Sequence, residues 1–302
     1  MTAMPLPPPG KPDAELSIDG DMVRGLLADQ HPDLADLPLE PLASGWDNQM
    51  FRLGDDLTVR LPRRQIAVEL LVNEQRWLPR LAPHLPLPIP APVRTGIATT
   101  AYPWPWSVLR WFDGGPVDLN PPDEDQGRVL GGFLGALHAQ PLTHGAPTNL
   151  VRGVPLATRA SIIAARIAKL RRLGDYVSDE VVCIWDQAVS APMDLPATWL
   201  HGDLHARNAL THRGKFSAII DWGDICGGDR ATDLAGLWTL LPTAASRADA
   251  RSAYGRISAA TWARAKGWAI SFAVTLVEAG LVNDPRMVTI GERTLARVSE
   301  PD

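Results

Sequence analysis

Thr198-Trp-Leu-His-Gly-Asp-Leu-His-Ala-Arg-Asn-Ala-Leu210 and the nearby Phe216-Ser-Ala-Ile-Ile-Asp-Trp-Gly-Asp224 form one recognisable pattern. It predicts a short apolar strand, a polar loop, a turn over residues 212–215 and a second strand that ends at Asp221. The polar loop carries Asp203 and Asn208. The pattern therefore predicts three oxygen-bearing side chains close together at the open end of one small hairpin.

These three side chains suit the transfer of a phosphoryl group from a nucleotide. Such a reaction needs a hard cation across the phosphates, and Mg²⁺ prefers carboxylate, amide and water oxygens. Asn208 and Asp221 can supply two of these ligands. Asp203 is placed to orient an attacking hydroxyl and to accept its proton. The predicted catalytic set is therefore Asp203, Asn208 and Asp221, with Asn208 and Asp221 as metal ligands.

The order of three motifs resembles the aminoglycoside phosphotransferase and choline kinase superfamily. The motifs are His201-Gly-Asp-Leu-His-Ala-Arg-Asn208, Ile220-Asp-Trp-Gly-Asp224 and Gly228-Asp-Arg-Ala-Thr-Asp233. Asp221-Trp-Gly223 is similar to the Asp-Phe-Gly of protein kinases. The resemblance implies that Asp233, His138 and His201 support the catalytic loop and take no part in proton transfer. Asp224 and Asp229 lie beyond the predicted metal ligand Asp221 and are expected near the acceptor.

This resemblance also implies a two-lobed, protein-kinase-like α+β fold, with a small β-rich N-lobe and a larger helical C-lobe. The expected boundaries are 15–110 for the nucleotide-binding N-lobe and 111–302 for the C-lobe, which carries the catalytic loop and the acceptor pocket. The proline-rich segment 1–14 is expected to be disordered.

The nucleotide side of the site also follows from the resemblance. In Leu57-Thr-Val-Arg-Leu61 the apolar residues alternate with polar ones, so Arg60 is expected to face away from the core of the lobe. The implied nucleotide-binding residues are Gly45 and Asn48 in a turn over the phosphates, Arg60 as the phosphate-binding cation, Glu74 as its ion-pair partner, and Trp111 and Phe112 beside the purine.

Apolar periodicity and capping residues predict helices through much of the chain. The predicted helices cover residues 18–27, 66–81, 125–140, 155–174, 178–190 with Ser178 as N-cap, a helix that starts at 229–233, two helices between 244 and 280, and 285–298.

Two alternatives compete with a phosphotransferase. His201-x-Asp203-x-His205 could bind a transition metal if the segment is extended, because residues two apart then share a face; the protein would be a metallohydrolase. The other alternative is a catalytically inactive scaffold that still binds nucleotide. It is suggested by the phosphate-covering turn, which has a single glycine at Gly45.

Composition limits the classes of partner. The formal net charge of −5 gives no basic footprint for nucleic acid, and no run of about eighteen apolar residues predicts a membrane span. The N-terminus does not resemble a signal peptide, so a cytoplasmic protein is expected. The predicted cofactors are ATP or GTP and Mg²⁺, and the predicted partner is a small hydroxylated molecule.

The acceptor itself is left open between an aminoglycoside, a macrolide, a sugar and another metabolite. Between Val151 and Asp175 there are six basic residues and one acidic residue, which does not suit a polycationic aminoglycoside. The 11 tryptophans, against 3 tyrosines and 5 phenylalanines, favour an apolar or ring-bearing acceptor.

Overall fold

The computed structural model describes residues 13–42 and 45–301, so most of the predicted disordered segment 1–14 lies outside the described residues. The N-terminal part is an antiparallel sheet with a helix on each side, and its strands run in the order β1-β2-β3-β5-β4. Its elements are α1 (Gly20–Gln30), β1 (Leu39–Pro41), β2 (Asn48–Leu53), β3 (Leu57–Pro62), α2 (Ile66–Leu81), β4 (Pro92–Gly96) and β5 (Trp106–Arg110).

One face of this sheet forms the smaller of two hydrophobic cores. Val23 and Leu27 of α1 pack against Val59 and Leu61 of β3. Because side chains alternate along a strand, Thr58 and Arg60 lie on the opposite face. That face borders a cleft, as the alternation in the sequence predicts for Arg60.

The C-terminal part is mostly helical and contains the larger core. Its elements are β6 (Gly115–Pro116), α3 (Gln126–Ala139), α4 (Ala160–Leu173), α5 (Asp179–Ser190), β7 (Thr198–Leu200), β8 (Ala209–His212), β9 (Lys215–Ile219), β10 (Cys226–Gly228), α6 (Ala231–Leu234), α7 (Gly236–Leu240), α8 (Ala244–Tyr254), α9 (Ala259–Asn283) and α10 (Pro285–Ser299).

The predicted single hairpin around the catalytic residues is wrong in its pairing. β7 pairs with β10, so that Leu200 lies opposite Cys226, whereas β8 and β9 form the hairpin. The tight turn of that hairpin is possible because Arg213 and Gly214 both adopt positive φ angles, 50° and 78°. The loop that carries Asp203 is therefore held between two small sheets.

Most of the predicted helices are present. α2 and α5 have the predicted extents, and Ser178 caps α5 by accepting a hydrogen bond from the Val181 N–H at 3.3 Å. The helix predicted over 155–174 begins instead with a 3-10 turn, Leu156–Arg159, directly after Pro155. The helix predicted from 229 onwards is divided at Ala235 into α6 and α7.

α2 connects the two parts of the protein. It falls within the predicted N-lobe, yet its buried Trp77 and Leu78 belong to the larger core. The ring of Trp77 lies 4.8 Å from that of Trp199, which belongs to β7 beside the catalytic loop. The boundary predicted at 110/111 remains a prediction.

α9 runs through the larger core. Among the described residues it is the helix whose length and composition would allow a membrane span, although 67% of its most apolar window is buried within the fold. Trp268 is fully buried on α9, whereas Trp262 is half-buried against the same core. α5, α6 and α10 pack against this helix.

Candidate active site

One buried carboxylate, that of Asp233, fixes the start of the loop between β7 and β8. Asp233 accepts the backbone N–H of His201 at 2.7 Å and that of Gly202 at 2.8 Å, one on each oxygen. His138 lies 3.5 Å from Asp233 and 2.8 Å from the Tyr254 hydroxyl. These contacts confirm the supporting positions predicted for Asp233 and His138.

Both ring nitrogens of His201 form hydrogen bonds with backbone groups. Nδ1 accepts the Asp203 N–H at 3.2 Å, so Nε2 carries the proton and donates to the Ile220 carbonyl at 2.9 Å. Among residues 13–42 and 45–301, no group of three or more His, Cys, Asp or Glu side chains is arranged to hold a metal ion. His201 therefore holds the loop in shape, and the arrangement does not suit the metallohydrolase alternative.

Asp203 projects from this loop towards the cleft. Its Oδ1 accepts a hydrogen bond from Arg152 at 2.7 Å, and its Oδ2 lies 3.5 Å from His205. Burial would raise the pKa of Asp203, but Arg152 and His205 outweigh burial and hold the pKa well below its usual range. Asp203 is therefore present as a carboxylate, the form that can accept a proton.

Asn208 is oriented by the same loop. Its amide nitrogen donates to the Asp203 backbone carbonyl at 2.9 Å, and its side chain is buried. This leaves the amide oxygen as the atom available to a cation. The Asn208 carbonyl also accepts the Ile220 N–H at 2.8 Å, which ties the loop to the residue before Asp221.

Asp221 projects into the cleft from a strained backbone. Its φ angle is +61°, which is uncommon for a residue other than glycine but tolerated by aspartate. Its side chain is 60% exposed, whereas the next residue, Trp222, is fully buried against His201. The buried Trp222 anchors the turn that presents the Asp221 carboxylate.

The predicted ion pair between Arg60 and Glu74 is present at 2.7 Å, and both side chains are buried. Arg60 also lies 3.8 Å from Asp221. With its amide oxygen turned towards Arg60, Asn48 accepts hydrogen bonds at 2.9 and 3.1 Å. Burial raises the pKa of Glu74 to about 7, although Arg60 acts in the opposite direction.

A cleft of about 730 Å³ separates the sheet from the helical part, within the range of small-molecule sites. It brings together nearly all of the predicted site residues. The predicted residues that line it are Gly45, Asn48, Arg60, Trp111, Phe112, Asp203, Asn208 and Asp221. Glu74 lies behind Arg60 and does not line the cleft.

Comparisons with known proteins agree with this geometry. The model of the APH phosphotransferase enzyme family matches residues 38–268, more than three quarters of the chain. The chain belongs to the APH phosphotransferase family. Comparison with curated protein sequences gives no match. The family confirms the predicted relationship, and with it a phosphotransferase.

Solved structures of the APH family share the fold. The GDP complex of aminoglycoside 2'-phosphotransferase-IIIa has a TM-score of 0.66 at 19% identity, covering 92% of this chain and 97% of that one. Macrolide 2'-phosphotransferase MphH from Brachybacterium faecium has a TM-score of 0.61 at 22% identity, covering 93% and 98%. Macrolide 2'-phosphotransferase type I has a TM-score of 0.56 at 18% identity, covering 96% of this chain and 100% of that one. The two-part, kinase-like α+β fold is thus confirmed for this APH family member.

The sequence prediction missed Arg152 and misplaced Asp229. Arg152 comes from the loop before α4 and contacts Asp203, but no local pattern marks it as a site residue. Asp229, expected to reach the acceptor, is buried and forms an ion pair with Arg264 at 2.7 Å. Asp224 does line the cleft, where burial raises its pKa against the pull of Arg152.

Proposed function

We propose that this APH family member transfers the γ-phosphoryl group of ATP or GTP to a hydroxyl of an antibiotic-like or metabolite acceptor. The observation that carries the proposal is the position of Asp203. Its carboxylate faces the cleft from a loop that Asp233 fixes by two hydrogen bonds, and it shares that cleft with Asn208 and Asp221.

In this proposal Asp203 is the residue that binds the hydroxyl of the acceptor. Oδ1 is engaged by Arg152, while the 3.5 Å separation between Oδ2 and His205 is too long for a strong hydrogen bond. Oδ2 is therefore the atom that orients the attacking hydroxyl and accepts its proton. The low pKa of Asp203 keeps the oxygen unprotonated at neutral pH.

The nucleotide would lie on the sheet side of the cleft. Arg60 is buried between Glu74 and Asn48 and points towards Asp221, so its guanidinium is fixed where phosphate oxygens would arrive. The proposal is supported by related structures that contain GDP and, in aminoglycoside phosphotransferase APH(2'')-Ib, ADP.

The donor set of Asn208 and Asp221 fits Mg²⁺, because an amide oxygen and an exposed carboxylate are hard oxygen ligands. When bound there, Mg²⁺ would neutralise charge on the phosphates. Asn208 is held by its amide nitrogen, and Asp221 follows a backbone tied to Asn208 and precedes the buried Trp222.

The proposal predicts that Asp203→Asn lowers acceptor-dependent turnover by at least about a hundredfold, a typical loss for a positioned proton acceptor. Nucleotide affinity should stay within about twofold of the wild type, because Asp203 faces the acceptor. The measurement is nucleotide consumption with Mg²⁺ across aminoglycosides, macrolides, sugars and amino alcohols, with nucleotide binding followed by calorimetry.

Three outcomes separate the possibilities. Stimulation by one compound class that is lost in Asp203→Asn supports the kinase and identifies its acceptor. Stimulation that survives in the variant excludes Asp203 as the base. Nucleotide binding without stimulation by any compound favours the inactive scaffold.

A further inference from the structure

Arg152 occupies the acceptor side of the cleft as a fixed cation. Its Nη2 donates to Asp203 Oδ1 at 2.7 Å, and its Nε lies 3.8 Å from Asp224 Oδ2. Its guanidinium carbon lies 5.0 Å from the centre of the Phe272 ring, within the range of a cation–π contact. One positive charge therefore sits between the two carboxylates on this side of the cleft.

The loop that carries Arg152 is shaped to present it. The Asn149 side chain accepts the backbone N–H groups of Val151 and Arg152 at 2.9 and 3.0 Å, and its amide nitrogen donates to Asp224 at 2.6 Å. Gly153 follows with a φ angle of +66°, and a Cβ there would come within 2.6 Å of Leu200. Arg152 is consequently held at the acceptor side by its own backbone as well as by its ion pairs.

Two carboxylates that are close in sequence to cleft-lining residues of this side, Asp284 and Glu278, also have cationic partners. Asp284 pairs with Arg207 at 2.8 Å, and Glu278 pairs with Arg166 at 2.7 Å. The wall that completes the acceptor side is largely apolar and comes from α9 and α10. Its members are Phe272, Leu276, Ala279 and Met287.

We propose that Arg152 is a specificity-determining residue that excludes polycationic acceptors and selects hydroxylated molecules that are uncharged near the reacting hydroxyl and have an apolar face. The inference rests on the proposed phosphotransfer at Asp203 and specifies its substrate class. Arg152 fills the position between Asp203 and Asp224 that an ammonium group of the substrate would otherwise occupy.

Electrostatics explains the selection. An ammonium group next to the reacting hydroxyl would face Arg152 at close range in a partly desolvated cleft, where repulsion between like charges is strong. Selectivity of this kind comes from a repulsive element against the wrong ligand. An uncharged acceptor meets no such repulsion, because its hydroxyl needs only Asp203 Oδ2 while its ring packs on Phe272 and Leu276.

The test measures binding of kanamycin, a polycationic probe, by calorimetry without nucleotide. We expect a measurable Kd for Arg152→Gln, which leaves Asp203 and Asp224 without their cation, and an affinity of the wild type that is at least about tenfold weaker or below detection. Arg159→Gln is the matched control. It also removes one positive charge from the segment before α4, but Arg159 does not line the cleft. It should bind kanamycin no better than the wild type.

A second variant keeps the inference testable if Arg152→Gln does not fold. Arg152→Lys retains the charge and should continue to exclude kanamycin. Two results would overturn the inference. One is that the wild type binds kanamycin and that Asp224→Asn weakens this binding. The other is an equal gain in kanamycin affinity in Arg152→Gln and Arg159→Gln. Because no turnover is measured, failure of the kinase proposal in the Asp203→Asn experiment leaves this result interpretable by itself.

Discussion

Glu74 shows how a single buried group can serve the site without lining it. Its carboxylate holds Arg60 at 2.7 Å, and the arginine in turn reaches towards Asp221 and donates to Asn48. The same burial that fixes this geometry disfavours the charged form of Glu74 and raises its pKa from 4.5 to about 7. The position of Arg60, the proposed phosphate-binding cation, is thus linked to a group that titrates near neutral pH.

That raised pKa makes stability depend on pH. A carboxyl group whose pKa is higher in the folded chain than in the unfolded chain binds a proton more tightly in the folded state. Its stabilising contribution is therefore complete below 4.5 and is lost as the pH rises through about 7. We expect the unfolding free energy of the wild type, relative to Glu74→Gln, to fall by roughly 1 kcal/mol per pH unit within that window. Urea denaturation of both proteins at pH 5, 6, 7 and 8 measures it; a constant difference would contradict the prediction.

At the scale of the structural element, the catalytic loop depends on one glycine. Gly202 has a φ angle of +90°, and an added Cβ would lie 2.5 Å from the backbone oxygen of Asp224. Both the left-handed backbone and the close approach of two loops require glycine here. This residue lies between His201 and Asp203, so an adjustment of the backbone there displaces the Asp203 carboxylate, the proposed base.

Gly202→Ala should therefore cost stability and turnover together. Strain at a positive φ angle costs about 1–3 kcal/mol, and the contact with Asp224 adds to it. Gly255→Ala separates the two effects, because Gly255 has a φ angle of +100° and an added Cβ there would meet no atom within 4 Å. We expect the control to lose stability but keep turnover. Equal turnover in both variants would show that the close approach at Gly202 is unimportant.

The elements also show which kind of information the sequence contains. α2 could be predicted to the residue because its apolar period and boundaries are local, whereas the Arg60–Glu74 pair was implied by the family resemblance. The pairing of β7 with β10 could not be predicted, because the sequence of a short apolar strand does not indicate which other strand it pairs with. Arg152 was missed for the same reason: 51 residues separate it from Asp203 in the chain.

At the scale of the whole molecule, the cleft joins two parts with separate hydrophobic cores. Arg60 comes from the sheet, and Asn208 and Asp221 come from the helical part, yet all three face the same space. A ligand that contacts both sides adds interactions between the two parts to those that α2 and the Arg60–Asp221 contact already supply. Nucleotide should therefore stabilise the entire fold, beyond the sheet that receives it.

This leads to a measurable thermal shift. A ligand at one hundred times its Kd stabilises the folded state by about 2.7 kcal/mol, which corresponds to an increase in Tm of about 5 °C for a chain of this size. We expect that increase with ATP or GTP plus Mg²⁺, and a clearly smaller one with the nucleotide and a chelator. Asp221→Asn should respond equally in both conditions, because it lacks one of the two proposed Mg²⁺ ligands. Differential scanning fluorimetry measures the shift, and a Mg²⁺-dependent increase that persists in Asp221→Asn would remove Asp221 from the metal site.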